Sequence, residues 1–308
     1  MEVIRHITSR RRFSRPVISL GNFDGVHLGH QAILAKAINE ARAIQGTALV
    51  LTFHPHPLTI LRPQNPLPLI SSLREKLLLL RSLKVDGVIL QPFSSAFAQL
   101  TAEEFVQRYL VNTVGVERVV VGHNVSFGHR RSGNAETLVA LGKQFGFAVD
   151  VVGPVLIDGK GVSSTGIRTL LGTASMREVT SLLGRAYAVS GRVEKGFQRG
   201  RTIGFPTANL RPRADLLLPN GVYAVTIDVD EKTTVPGVAN VGMNPTFGNK
   251  RRTIEAHLFD FSADLYGKRL RVSFVEHIRE ERKFPSVPEL IRQIQEDANR
   301  ARALLAGQ

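Results

Sequence analysis

Two histidines three residues apart, His27 and His30, lie in the stretch GNFDGVHLGHQAIL at residues 21–34. An apolar run, Val17–Leu20, precedes them, and apolar residues at helical spacing (Ile33, Leu34, Ala37, Ile38, Ala41, Ile44) follow. Both imidazoles therefore belong to the seam between a strand and a helix. A helix start presents unpaired backbone N–H groups and the positive end of the helix dipole, which suit a phosphate. Imidazoles one turn apart there can hydrogen-bond an anion or, protonated, neutralise charge developing on a pyrophosphate leaving group. Gly21, Gly25 and Gly29 let the backbone come close to a nucleotide. Taken alone, such a pair is more often an incidental surface feature, so its neighbours must carry the argument.

Further segments carry chemistry of the same kind. In TFHPHP (52–57), prolines hold His54 and His56 rigidly, with at least one in reach of a phosphate. VGHNVSFGHRRSGN (121–134) sets Asn124 and Arg131 among glycines 122, 128 and 133. In VSSTGIRTLL (162–171), Ser163, Ser164 and Thr165 precede a short helix with Arg168 just inside it, a set of hydroxyls and a cation that suits ATP phosphates. Each also has a plain structural reading: a pinned loop, a strand-end turn, a helix cap. Farther on, GRVEKGFQRGRTIGFPTANL (191–210) contains Gly196, Gly200 and Gly204 but no Walker phosphate loop, so a kinase here needs another architecture. Thr207 and Asn209, two apart on an extended segment, share one side and offer a hydroxyl and an amide oxygen that suit Mg²⁺.

The elements that must position these groups fall into two textures. Strand-like runs at Val17–Leu20, Thr47–Phe53, Gly87–Leu90, Arg118–Val121 and Ala148–Val152 alternate with amphipathic stretches near 28–44, 72–83, 102–112 and 134–145. This alternation predicts a parallel sheet with helices on both faces, whose ligands bind beyond the carboxyl ends of the strands. After LLGRAYAVSGRV (182–193) come GVYAVTIDV, TTVPGVANVG, TIEAHLFDF and KRLRVSFVEHI, the pattern of an antiparallel barrel or sandwich. Ser286-Val-Pro-Glu289 then starts a terminal helix. The expected domains are 1–184 and 185–308, with 172–186 the least defined stretch.

Composition narrows the classes. A chain of 308 residues, 43% hydrophobic and 21% charged, has room for two ordinary cores. Without cysteine it has no disulfide, zinc-thiolate or thiol chemistry. No apolar run approaches the ~20 residues that cross a bilayer, and the N-terminal segment lacks a signal-peptide core. The expected location is cytoplasmic, with no membrane partner. The net charge of +14 is spread in small groups (10–12, 129–131, 250–252), with 6% aromatics and no tryptophan. That distribution points to a surface drawing polyphosphate substrates, and nucleic acid is not an expected partner.

Together the motifs resemble the bacterial bifunctional riboflavin kinase/FAD synthetases. GNFDGVHLGH resembles their nucleotide-binding signature, which adds Phe23 and Asp24 to the ATP-binding set. TFHPHP resembles their proline–histidine loop (His54, Pro55, His56), and 121–134 their flavin- and phosphate-contacting loop (Asn124, Arg131). The VSSTGIRTLL segment resembles their serine–threonine–arginine motif. The second half, from 191 to the last helix, resembles the riboflavin kinase domain, with Gly196, Gly200 and Arg201 near ATP and Glu255 at the catalytic base. The resemblance implies a Rossmann-like nucleotidyltransferase domain followed by a β-barrel. It implies Mg²⁺ at Thr207 and Asn209, with ATP, riboflavin and FMN as substrates and FAD as product. The chain departs from the family at Asn124 and Asn134, where Asp is usual, and at Gly166, near which another Arg is usual. Two other readings stay open at this level: a kinase with a degenerate first domain, and a basic nucleic-acid-binding protein on a borrowed fold. The expected state is a monomer or a transient homo-oligomer.

Overall fold

The computed structural model describes every residue except 6, 8–12, 197–198, 213–215, 231–232, 245–250 and 308, and only the backbone of 199, 201, 244 and 251. It divides into two compact units, Met1–Leu67 with Lys76–Ser163, and Pro68–Glu75 with Ser164–Gln308.

The first unit is built on six strands: β1 (Glu2–Arg5), β2 (Pro16–Leu20), β3 (Thr47–Phe53), β4 (Gly87–Gln91), β5 (Arg118–Gly122) and β6 (Ala148–Val152). Their order is β1-β4-β3-β2-β5-β6, and every pairing is parallel. β2 and β4 are buried at every position, as strands covered on both faces must be. The edge strand β1 was not expected, because four residues with Glu2 and Arg5 at the ends give no apolar run. Around the sheet lie α1 (Leu28–Ala43), α2 (Pro57–Leu61), α3 (Leu73–Ser82), α4 (Ala102–Phe105, continuing in wider π-type turns through Val114) and α5 (Ala135–Phe145). Ile18, Leu49, Leu51 and Ile89 face Leu110 and Leu138 on one side; Val50 and Val88 face Leu34 and Leu80 on the other. A short hairpin, β7 (Leu156–Ile157) and β8 (Lys160–Gly161), follows β6. From β2 the chain turns to β3 and β4 on one side, then returns to β5 and β6 on the other. That reversal opens a crevice between β2 and β5, where open sheets bind ligands. The loops leaving those two strands carry 21–27 and 123–134.

The second unit holds α6 (Ser164–Gly172), α7 (Met176–Leu183), β9 (Tyr187–Glu194), α8 (Arg199–Thr202), β10 (Ala208–Pro212), β11 (Gly221–Asp228), β12 (Thr234–Asn244), β13 (Arg251–Leu258), β14 (Arg269–Glu280) and α9 (Val287–Leu305). The strands close an antiparallel barrel in the order β10-β13-β12-β11-β14-β9. Alternate residues point inward, among them Val193, Leu210, Tyr223, Val225, Ile254 and Phe274. Ile167, Leu171, Met176, Val179 and Leu183 from α6 and α7 join the same core. Strand texture thus begins at 187, near the boundary expected at 184, whereas packing groups 164–183 with the barrel. Ser286 caps α9 by accepting the Glu289 N–H at 3.4 Å, and Ala298 and Ala301 pack on Val222, Ala224 and Val238. Beside them the Arg279 guanidinium grips buried Asp297 at 3.0 and 2.7 Å.

Candidate functional sites

The loop after β2 is tightly wound: Phe23, Gly25 and Val26 have φ of 49°, 81° and 43°. Phe23 and Asp24 are 1% and 2% exposed, so their side chains shape the loop from within. The Phe23 ring packs under Gly21 and meets His30 edge-on, with centroids 5.3 Å apart. His27 caps α1, its Nδ1 accepting the His30 backbone N–H at 3.3 Å. A neutral His27 therefore carries its proton on Nε2. Its ring stacks on His30 at 3.6 Å, and His30 Nδ1 is buried with no hydrogen-bond partner. Burial, then His27 and Lys76, hold the His30 pKa well below the usual imidazole range, so this ring is neutral at pH 7. Of the two modes open to a histidine here, hydrogen bonding is the one available to His30. Gly29 is close-packed: a Cβ there would approach His27 to 3.1 Å and the Val162 carbonyl to 3.6 Å.

Beneath this loop is a group that sequence reasoning missed. Lys76, on α3, is 6% exposed, and its ammonium donates to the Asn22 carbonyl at 2.6 Å. The Thr52 hydroxyl donates to the same oxygen at 3.1 Å. Burial pushes the Lys76 pKa down to about 8, against the opposing pull of Asp24. The available signal was its position on α3: Leu80, four residues on, marks the buried face.

The remaining loops of this unit separate residues that the sequence treated alike. His56 is buried and caps α2, its Nδ1 accepting the Leu58 N–H at 3.2 Å, while His54 is exposed. Burial, Lys76 and Arg5 lower the His54 pKa. Asn124 and Arg131 are exposed, the latter on a tight turn where Arg130 and Arg131 have φ of 52° and 60°. Gly128 has φ of 75°, and a Cβ there would sit 2.7 Å from the Ala102 nitrogen. Asn134 caps α5, accepting the Thr137 N–H at 2.8 Å. Asn caps as well as Asp does, so the missing charge at 134 falls on a helix cap. A chain of rings was also missed: Phe53–Phe93 at 5.7 Å, Phe93–Phe97 at 5.5 Å and Phe97–Tyr109 at 5.1 Å. Ser163 ends the first unit, whereas Ser164, Thr165 and Arg168 lie on α6 in the second, where Arg168 Nε donates to the Pro68 carbonyl at 2.9 Å.

In the second unit, strand register builds the constellation. Asn209 on β10, Glu255 on β13 and Asn240 on β12 are direct cross-strand partners. Their neighbours Leu210, Ile254 and Ala239 fill the barrel, so the three polar residues share its outer face. One cavity opens on this face, and a second lies beside Pro206–Ala208 and residues 261–266. The first, about 290 Å³, is lined by Thr207, Asn240, Glu255, His257, Glu281 and Phe284; the other, about 520 Å³, by Thr207, Asp264 and Tyr266 among others. Thr207 belongs to both. His257 Nδ1 lies 2.8 Å from the Pro206 carbonyl and so donates to it, steadying the entry to this segment. Glu281 accepts from Asn220 at 3.0 Å. His257 was within reach of sequence reasoning, since it stands two residues after Glu255 on one strand face. The glycines act by close approach: a Cβ on Gly196 would lie 2.5 Å from Asn209 Nδ2, and one on Gly200 2.3 Å from the Phe205 carbonyl. The side chain of Arg201 lies outside the described residues. Among those described, no cluster of three or more His, Asp or Glu could hold a metal ion. The hydroxyl and amide oxygens of Thr207 and Asn209 do fit a hard cation that keeps most ligands as water and phosphate.

Known proteins resemble the chain over its whole length. A family model described as FAD synthetase matches residues 9–166, and one described as riboflavin kinase matches 183–305. A bifunctional riboflavin kinase/FMN adenylyltransferase from Haemophilus influenzae is 38% identical over 98% of this chain and 99% of its own. The Escherichia coli K12 protein of the same name is 38% identical over 98% and 97%. A crystal structure described as a macrolide-efflux protein from Streptococcus pneumoniae superposes with a TM-score of 0.87 at 33% identity, covering 96% of this chain and 97% of that one. Among the described residues, no helix is long and apolar enough to cross a membrane.

Proposed function

The chain belongs to the bifunctional riboflavin kinase/FMN adenylyltransferase family, and on that premise we propose how its residues share the two reactions. In the first, ATP phosphorylates riboflavin to FMN; in the second, FMN takes AMP from ATP, giving FAD and pyrophosphate.

The kinase step is assigned to the barrel, and one observation carries that reading: two cavities share Thr207, and Glu255 lines only one of them. Flavin in the Glu255 cavity and nucleotide in the other would meet at Thr207. Glu255 accepts the ribityl 5′-hydroxyl proton as that oxygen attacks the γ-phosphorus, and the bond to the β,γ-bridging oxygen breaks to release ADP. Thr207 and Asn209 would hold Mg²⁺, which offsets phosphate charge when bound. Gly196, Gly200 and Arg201 complete the phosphate surroundings.

Adenylylation is assigned to the first unit. The α1 start, His27 through its Nε2–H and neutral His30 bind the ATP phosphates and stabilise the departing pyrophosphate. The FMN phosphate oxygen attacks the α-phosphorus, so no protein nucleophile is needed. The ring cluster around Phe93 and Phe97, with His54, Asn124 and Arg131, receives the flavin. Ser163, which ends this unit, is a further ATP phosphate ligand. Use of ATP in both steps supports a cytoplasmic location.

The test is a time course with riboflavin, ATP and Mg²⁺, with flavins resolved by chromatography. Glu255→Gln should slow FMN formation by about 10²–10⁴-fold and leave FAD formation from added FMN intact. His30→Ala should accumulate FMN. Equal loss of both reactions in either variant would refute the division of labour.

A further inference from the structure

If the histidine over the phosphates is uncharged, the positive charge of the adenylylation site must come from elsewhere. The α1 terminus supplies part of it. Within this unit the buried ammonium of Lys76 is the second source, held at 2.6 Å from the Asn22 carbonyl in the loop that leads to His27 and His30. We propose that Lys76 is a positioning residue of the adenylylation reaction: a cation seated under the 21–30 loop that fixes its backbone and projects charge through it onto the nucleotide phosphates.

Three observations support this. Asn22 accepts from both Lys76 and Thr52, so the loop backbone is pinned from below at its entry to the tight Phe23–Val26 turn. The facing groups come from three elements: Asp24 from the loop, His30 from α1 and His54 after β3, and the Lys76 charge acts on both histidines. Among the described residues, the Asn22 carbonyl is the one hydrogen-bond acceptor of an ammonium that carries three N–H donors. A leucine at this buried position would pack without the cost of desolvating a charge. The cost is explained if the charge serves the reaction.

Burial matters for a second reason. A solvated lysine is weakened by the high dielectric of water and by salt beyond about 8 Å, whereas one under a protein loop acts through a lower dielectric. Its effect should grow as negative charge shifts onto the leaving pyrophosphate, which places it in kcat more than in KM.

The inference rests on the assignment of adenylylation to His27 and His30, and the test separates the two. Lys76→Gln keeps an N–H donor for Asn22 and removes the charge; Lys76→Arg keeps the charge. Rates of FAD formation from FMN are measured on the full chain, with riboflavin phosphorylation as internal control. Lys76→Gln should lower kcat for adenylylation about 10²-fold, with a smaller change in KM for ATP, and leave phosphorylation near wild type. Lys76→Arg should recover most of that loss. The wild-type kcat/KM for adenylylation, which reports the free enzyme, should fall as pH rises through about 8 and the ammonium is lost. In Lys76→Arg that alkaline limb should move above pH 9, because guanidinium stays protonated there. A Lys76→Gln variant with wild-type kcat, or an alkaline limb unmoved in Lys76→Arg, overturns the proposal. If His30→Ala also adenylylates FMN normally, it is the site assignment that fails; if only the lysine variants are unaffected, this inference alone does.

Discussion

Replacement of Gly196 by alanine tests the barrel site by crowding Asn209 from a glycine of the proposed phosphate surroundings, with every side chain of the site kept. An added Cβ would lie 2.5 Å from Asn209 Nδ2, 2.6 Å from its Cγ and 2.9 Å from its Oδ1. Ordinary van der Waals contact begins near 3.4 Å, so the amide must retreat by about 0.9 Å or the 195–196 backbone must shift as far. Misplacement of about 1 Å at a reacting centre costs on the order of 10²-fold in rate. Gly196→Ala should therefore lower kcat for riboflavin phosphorylation by about 10²-fold and raise the Mg²⁺ concentration needed for half-maximal rate. The assay is initial FMN formation across a Mg²⁺ titration at saturating riboflavin, with FAD formation from added FMN as the control in the other unit. Wild-type kinase kinetics and Mg²⁺ dependence would refute the reasoning that the close packing of Gly196 on Asn209 sets the geometry of the kinase site.

Other expectations follow from the same geometry. His30→Ala removes the group proposed to act on the leaving pyrophosphate and should cost roughly 10²–10³-fold in both kcat and kcat/KM for adenylylation, with phosphorylation unchanged; a change confined to KM for ATP would make it a ground-state binding residue. Asp297→Ala strips its partner from Arg279, whose side chain is only 20% exposed. It should destabilise the second unit by about 2–4 kcal/mol, measured by denaturant unfolding, and a loss under 1 kcal/mol would count against a buried pair that anchors α9. A 185–308 fragment lacks Ile167, Leu171, Met176, Val179 and Leu183, each at most 1% exposed. At about 1.5–3 kcal/mol per buried side chain, their loss approaches the whole stability of a domain, so 164–308 should unfold at clearly higher temperature than 185–308. Equal melting temperatures would make α6 and α7 dispensable to the barrel.

Features that depend on local chemistry are legible in the chain before it folds. Largely apolar runs such as Val17–Leu20 and Thr47–Phe53 are strands of the parallel sheet, because strands covered on both faces are apolar along their length. Ser286 and Glu289 mark the start of α9 through a bond spanning three residues. HLGH and PTAN stand out as candidate sites by residue type and spacing, and Glu255 through the resemblance of IEAHLFDF to the riboflavin kinase domain. Tertiary structure decided what depends on burial and register. HLGH alone does not reveal that His30 is neutral, since that follows first from its burial, then from the stacked His27 ring and from Lys76, 46 residues away in the chain. His54 and His56 look equivalent until one caps α2 and the other faces solvent. The partnership of Asn209 with Glu255 and Asn240 exists only once β10, β13 and β12 are paired in one register, and a slip of one residue would turn Glu255 into the barrel core. Pairing and burial are set by segments far apart in the chain, and no local pattern encodes their distances.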